Sequence, residues 1–548
     1  MIFVYSPYAK IAKVFDLPGK TITHILPSER IMQNKPNAWA DFFLFFSILF
    51  GALVRFAPTI MTGSPINDGG MFYVMIEDLK SNHFSIPAFT SYNYLNIPFA
   101  YPPLSFYVGG LLSSFGLSTL ALFRWLPPLI STLSILAFYW MVSQMLASRT
   151  KASLAALAYA MMPRSFSWYI MGGGLSRTFG VFFLLLACAS AWILFTRRDS
   201  RYVFLTALFG AGALLSHPET GLHTAAACFL IWLFKGRSLR GIRDAAFAAL
   251  GALIFSAPWW VTVLVQHGTA PILSALNTGG HTGTFWLSWL TFDFAEERFI
   301  TLVTVLGLIG FLVQGLRRDW FLPVWTLAAF VVEPRSATAI AALPLAALAG
   351  VGLGDFVLPK VAALASRSAQ EAQDWTEAMT NSGTVKIVVG YVLFSTLFGA
   401  FFYDLSLANY VIPAESRLAM QWVQTNTPAD SQFIVLTGQS DPFADPSVEW
   451  FPAIALRTSR NTIQGREWLL GSKFMPFLSS LEKLQACLNA GPACVEQWAN
   501  SNQIAFNYIY IEKNKFDANS GLLLYQLRQS KNYTLVFEND GATIFARK

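Results

Sequence analysis

Asp68 lies in 64-SPINDGGMFYVMIEDLK-80, directly after an apolar run long enough to cross a membrane. A carboxylate placed there can take a proton from an attacking hydroxyl, which is general-base chemistry. Glu77, Asp78 and Lys80 follow in a helical pattern and read as the wet face of a helix lying along the membrane. A second polar group is 215-LSHPETGLH-223. Pro218 at a helix start, with Glu219 in the first turn, is explained by capping and the helix dipole. His217, Glu219 and His223 are equally candidates for hydrogen bonds to substrate, or for a divalent cation, although their spacing is not the two-histidine helix motif of metalloproteases. A third group is 331-VVEPRSA-337, where Glu333 and Arg335 precede an apolar run. Guanidinium grips phosphate oxygens in a bidentate way, so Arg335 suits a lipid-linked phosphate, and snorkelling to lipid headgroups competes with that reading. The segment 266–298 adds His267, His281, Asp293, Glu296, Glu297 and Arg298.

These residues are carried by a chain built for lipid. Of 548 residues, 54% are hydrophobic and only 13% charged, about half the charged share of a soluble domain. The formal charge of +7 does not imply nucleic acid, because Lys and Arg fall in short clusters between apolar runs rather than on one soluble face. Apolar runs fall at 40–62, 103–118, 126–147, 152–171, 178–196, 202–216, 221–234, 245–265, 299–316, 320–333, 336–357 and 386–406. If 103–118 crossed, the clusters Arg149/Lys151, Arg197/Arg198/Arg201 and Lys235/Arg237/Arg240/Arg243 would all face outward, against the positive-inside bias. That run also opens with Pro102-Pro103 and contains Gly109-Gly110, which suits a segment lying in the outer interface. The expectation is a polytopic α-helical protein of the plasma membrane with about eleven spans. Residues 1–39 form a basic cytoplasmic segment, 40–406 the membrane domain, and 63–125 an external loop with juxtamembrane helices. Half of the 38 basic residues then lie inside. Seven, Arg55, Lys80, Arg124, Arg164, Arg177, Arg298 and Arg335, fall to the outer loops.

From about 407 the polarity pattern changes to that of an α/β domain. Residues 414-AESRLAMQWVQTNT-427 read as a helix, and 432-QFIVLTG-438, 504-IAFNYIYIE-512 and 533-YTLVFE-538 read as strands, the last closed by Asn539-Asp540-Gly541. Residues 407–548 are expected outside the cell. A disulfide between Cys487 and Cys494 fits that oxidising side, and two unpaired thiols remain the other possibility. Cys188 and Cys228 fall within spans as packing residues.

The order of an apolar span, Asp68, an amphipathic segment, 101-YPPLSFYVGGLLSSFG-116, Arg124 and a basic-flanked span resembles the GT-C glycosyltransferases. The likeness is to the branch of protein O-mannosyltransferases and aminoarabinose lipid A transferases. The resemblance implies a catalytic Asp68, a substrate-side Tyr101 and Arg124, and an Arg335 similar to the phosphate-contacting Arg before a late span. It also implies transfer of a sugar from a polyprenyl-phosphate carrier to a lipid, glycan or protein acceptor at the outer face. The chain departs from the branch in two places. Gly69-Gly70 stands where a second acid often follows, and 174-GLSRTFG-180 carries Arg177 and no acid. This puts a metal requirement and the identity of a helper acid in question, with Glu219 and Glu333 as substitutes. Competing readings are a transporter or lipid flippase, and a non-catalytic GT-C relative using 441-DPFADPSVEW-450 as a glycan contact loop. A transporter would place ionisable groups at the midplane, in helices interrupted at matching positions of two halves.

Overall fold

The computed structural model describes residues 38–276, 301–365, 375–513 and 521–548. The basic N-terminal segment, His281, Asp293, Glu296, Glu297, Arg298 and Arg367 lie outside the described residues.

Within the described residues the apolar runs are helical, with one broken near its middle. Six helices are long and apolar enough to cross a membrane: Ala38–Thr62, Thr119–Leu146, Gly174–Arg197, Leu239–His267, Ala337–Ala365 and Gly383–Leu407. Arg149–Met161, Arg201–Leu214, Pro218–Lys235, Leu302–Leu316 and Phe321–Val332 are shorter. The segment expected in the interface forms Leu104–Ser114, eleven residues and so only about 16 Å long. It is far too short for a hydrocarbon core of about 30 Å.

Two expectations change. The run 152–171 is not one helix, because Pro163 has no N–H and disfavours helical backbone at Met162, which is extended. The helix ends at Met161, and 163–171 continues as tight turns around the short helix Ser167–Ile170. Arg55 is not in an outer loop but fully buried inside Ala38–Thr62. Its guanidinium donates to Ser131 Oγ at 2.9 Å, Ala160 O at 2.8 Å, Gly51 O at 3.1 Å and Ser165 Oγ at 3.3 Å. Four acceptors from three helices and the Pro163 turn satisfy a charge that lipid could not.

After Gly383–Leu407 the chain forms Ala414–Asn426 and a five-stranded sheet in the order Thr458–Ser459, Gln432–Leu436, Tyr508–Glu512, Ala542–Arg547, Tyr533–Glu538. The first three strands are parallel and the last two antiparallel to their neighbours. One sheet face packs with Phe474–Ala486, Pro492–Ser501 and Gly521–Gln529. The other contributes Phe433, Val435, Tyr510 and Ile544 to a core that also contains Met71, Phe72, Met75, Ile76, Phe106 and Trp450. That shared core joins the sheet to Gly70–Ser81 and Leu104–Ser114, the two helices of the loop after Asp68, and residues 37–548 form one compact unit. Cys487 and Cys494 are bridged, and Cys188 and Cys228 are free thiols.

Candidate active site

Asp68 sits in the turn between Ala38–Thr62 and Gly70–Ser81. Gly69 has φ +135° there, a backbone that an L side chain rarely adopts. The carboxylate is fixed from 171-MGGGLSR-177, the turn at 171–173 and the first residues of Gly174–Arg197. Gly173 N–H donates to Asp68 Oδ1 at 2.9 Å and to the Asp68 carbonyl at 3.1 Å. Arg177 Nη2 lies 3.8 Å from Oδ2. A Cβ on Gly172 would stand 1.9 Å from the Asp68 carbonyl oxygen, and one on Gly173 2.2 Å from Oδ2. Only a glycine pair lets this loop close on the acid. The Asp68 side chain keeps 20% of its surface exposed, so it is oriented without being sealed. Arg177 stacks 5.5 Å from the Trp168 ring, and its Nη1 has no partner among the described residues.

A further carboxylate reaches the same turn from the far end of the chain. Asp445 caps Pro446–Ala455 through Val448 N–H at 3.1 Å. That helix projects Glu449 so that Oε2 accepts from Gly70 N–H at 2.8 Å and Oε1 from Met71 N–H at 3.1 Å. The next residue, Trp450, donates Nε1–H to Asn67 O at 2.8 Å. Glu449 is buried, and burial, then the neighbouring Asp68 charge, pushes its carboxyl up to about 8, against the pull of the Gly70, Met71 and Gly69 N–H groups. In the 441–450 stretch Asp441 and Phe443 stay exposed, whereas the part from Pro446 on is a helix turned inward. Its helix faces Asp68, with Gly70 so close that a Cβ would meet the Glu449 carbonyl at 2.9 Å. Glu449 has no sequence signal, since it lies 381 positions from Asp68 in a stretch whose acids read as loop residues.

The other candidates fall into three places. Tyr101 shares a hydrogen bond with Ser176, beside Arg177, at 3.1 Å, and its ring lies 6.3 Å from His217 and 6.0 Å from Trp468. Burial pushes its hydroxyl up to about 12, so it stays a hydrogen-bond donor. Glu219 and Arg335 approach to 3.7 Å, and both guanidinium groups, Arg177 and Arg335, act electrostatically on Tyr101 and His217. Arg335 also acts on Glu467, a half-buried acid from the C-terminal part. Thus Asp68, Tyr101, His217, Glu219 and Arg335 belong to one linked polar layer through Arg177. Glu333 ends Phe321–Val332, where its buried side chain accepts Arg335 N–H at 3.2 Å. Arg124 donates to Thr59 O at 3.2 Å and covers Trp125 at 4.5 Å, so its observed contacts hold the end of the first helix. Glu77 binds Lys80 and Thr119, and Asp78 accepts from Thr90 and Ser91. They clip the loop together while Glu77 keeps 40% of its side chain exposed.

The histidines are occupied by structure. His217 Nδ1 accepts Thr220 N–H at 3.3 Å, capping Pro218–Lys235, and burial lowers the ring to about 4. His223 shares a hydrogen bond with Ser336 at 3.0 Å. Among the described residues no three His, Cys, Asp or Glu side chains form a group able to hold a metal ion, so His217, Glu219 and His223 are not a ligand set. At Asp68 the partners are an N–H and a guanidinium, both donors, which do not fit a divalent cation.

No protein-family model matches the chain, and no curated protein matches it significantly in sequence. Solved structures do match in fold. ArnT from Cupriavidus metallidurans bound to undecaprenyl phosphate superposes with TM-score 0.51 at 14% identity, over 93% of this chain and 98% of its own. At that identity the likeness is one of fold. The Archaeoglobus fulgidus oligosaccharyltransferase, in complex with Zn and sulfate, gives 0.50 at 14% identity over 91% of this chain and 73% of its own. Mycobacterial arabinofuranosyltransferase AftD gives 0.53 at 16% identity over 93% of this chain, which spans 42% of that longer protein. The likeness in fold runs through the membrane helices and the C-terminal sheet alike, since each match covers more than nine tenths of the chain.

Proposed function

We propose that this protein is an integral-membrane glycosyltransferase that moves a sugar from a polyprenyl-phosphate carrier to a hydroxyl acceptor, a lipid, glycan or protein, at the extracytoplasmic face. The reading includes eleven crossings, a cytoplasmic N-terminus and an external C-terminal part. One observation carries it: Asp68, at the end of the first membrane-length helix, is held by Gly173 and Arg177, remains partly exposed, and adjoins the layer containing Arg335. The GT-C fold supports it, and ArnT, which shares the fold, is described with undecaprenyl phosphate bound.

Asp68 takes the proton of the acceptor hydroxyl as that oxygen attacks the anomeric carbon. The bond from that carbon to the carrier phosphate breaks, and the electron pair leaves on the phosphate. Arg335 meets the developing charge, with Arg177 as the second guanidinium of the layer. A single displacement inverts the anomeric configuration. Gly173 N–H and Arg177 fix the base before the acceptor arrives, and Tyr101 donates a hydrogen bond toward the same layer. No step requires a metal at Asp68.

The test is transfer from radiolabelled polyprenyl-phosphate sugar in membranes holding the full chain. Asp68→Asn is expected to lower the rate at least about 100-fold and Arg335→Ala to raise the KM for donor. Unchanged transfer in Asp68→Asn removes Asp68 as base. A wild type that transfers nothing from any carrier returns the fold to transport or to a non-catalytic role.

A further inference from the structure

Gly70–Ser81 begins without a cap of its own. Its N-cap is Gly69, which has no side chain to accept the first N–H groups, and an uncapped, buried helix start leaves donors unsatisfied. Glu449 supplies both acceptors from the other end of the sequence. Only Gly69 separates this capped turn from Asp68, and Trp450 holds the opposite side of the same loop at Asn67. The Glu449 carboxyl thus faces backbone N–H groups, next to the proposed base.

We propose that Glu449 is a positioning residue for Asp68: by accepting the Gly70 and Met71 N–H groups it sets the turn that presents the base, which makes the C-terminal part of the chain a component of the active site. This rests on the glycosyltransferase reading above. The charged and titratable groups around Glu449 are few. Asp68 faces it from the loop, with Arg177 beyond, and Tyr92 donates its hydroxyl to the Glu449 carbonyl from the 92–94 turn. Tyr73 lies 6.0 Å from the Trp450 ring, and Arg466 and Glu467 act on Tyr92. Asp68 and Glu449 are close enough for the charge of one to oppose ionisation of the other.

The experiment compares full-length wild type, Glu449→Gln, Glu449→Ala and Asp68→Asn in detergent or membranes. Glu449→Gln keeps the shape and one acceptor oxygen but cannot ionise. The expected result is a kcat per folded molecule about tenfold lower in Glu449→Gln and lower still in Glu449→Ala, with the donor KM within about twofold of wild type. The wild-type rate profile is expected to carry an ionisation near pH 8 that is absent from Glu449→Gln. Hydrogen exchange at Gly70 and Met71, which needs no substrate, is expected to accelerate in both Glu449 variants. Wild-type kcat per folded molecule, or unchanged exchange at those two amides in Glu449→Gln, overturns the inference. Because exchange is read without turnover, it decides the matter even if Glu449→Ala fails to fold. If Asp68→Asn is inactive while the Glu449 variants transfer normally, this inference alone fails. If Asp68→Asn also transfers normally, the parent reading fails.

Discussion

Glu449 and His217 show how burial at single residues couples this protein to pH in opposite directions. Glu449 titrates near 4.5 when the chain is unfolded and near 8 when it is buried beside Asp68. The folded state therefore holds its proton more tightly. Its contribution to stability is full below about 4.5 and is lost as pH rises to about 8, by an amount on the order of a few kcal/mol. Thermal melting of wild type against Glu449→Gln should show wild type losing ground to the variant across that window. His217 runs the other way, with a folded value near 4 against 6.5. Its neutral ring caps a helix, so that stability is present above about 6.5 and is lost as pH falls toward 4. His217→Asn, which keeps an accepting side chain, should flatten this acid limb, whereas His217→Ala should cost about 1 kcal/mol at neutral pH.

At the scale of elements, the buried Arg55 organises one end of the helix bundle. It ties Ala38–Thr62 to Thr119–Leu146, to the end of Arg149–Met161 and to the Pro163 turn. It is also the counter-charge felt by Asp404, a buried carboxylate of Gly383–Leu407 whose oxygens have no hydrogen-bond partner among the described residues. Replacing Arg55 by Leu should cost about 3–5 kcal/mol, read as a drop in melting temperature. The Cys487–Cys494 bridge closes a loop with a sequence separation of 7 and contributes about 2.5 kcal/mol on loop entropy. Cys494→Ser should lower stability by that order under oxidising conditions and make no difference in reductant.

Over the whole molecule, the C-terminal sheet and the loop after the first helix share one core, so neither can be treated as an appendage. A chain ending at 412 loses Glu449, Trp450, Glu467 and Trp468 together. It should lose transfer altogether, even toward a small soluble acceptor, rather than merely change acceptor preference. Assay of that truncation beside full-length protein, with membrane insertion verified, checks this.

Much of this arrangement was legible in the residues, and for local reasons. Apolar runs marked the helices because lipid leaves a backbone few other options. Asp68 stood out as an acid after a long apolar run, Pro102-Pro103 marked the start of a short helix, and alternation at 432–438, 504–512 and 533–538 announced the strands. The cysteine spacing anticipated the disulfide. What the residues could not reveal was which distant groups meet. Arg177 looked like a missing acid and is the ion partner of Asp68. Gly172 and Gly173 carry no chemistry by type, and matter because a Cβ there would collide with that acid. Arg55 read as a loop cation, since nothing local shows that Ala160 O and two serine hydroxyls await it. Glu449 was one polar residue in a soluble-looking stretch until the shared core brought its helix against Gly70. The sequence by itself determined the elements and the proposed base, because periodicity and solvent preference act within a few residues along the chain. The tertiary structure alone decided the partners of that base, because hydrogen bonds and ion pairs require atoms within about 3–4 Å and are indifferent to how far apart they lie in sequence.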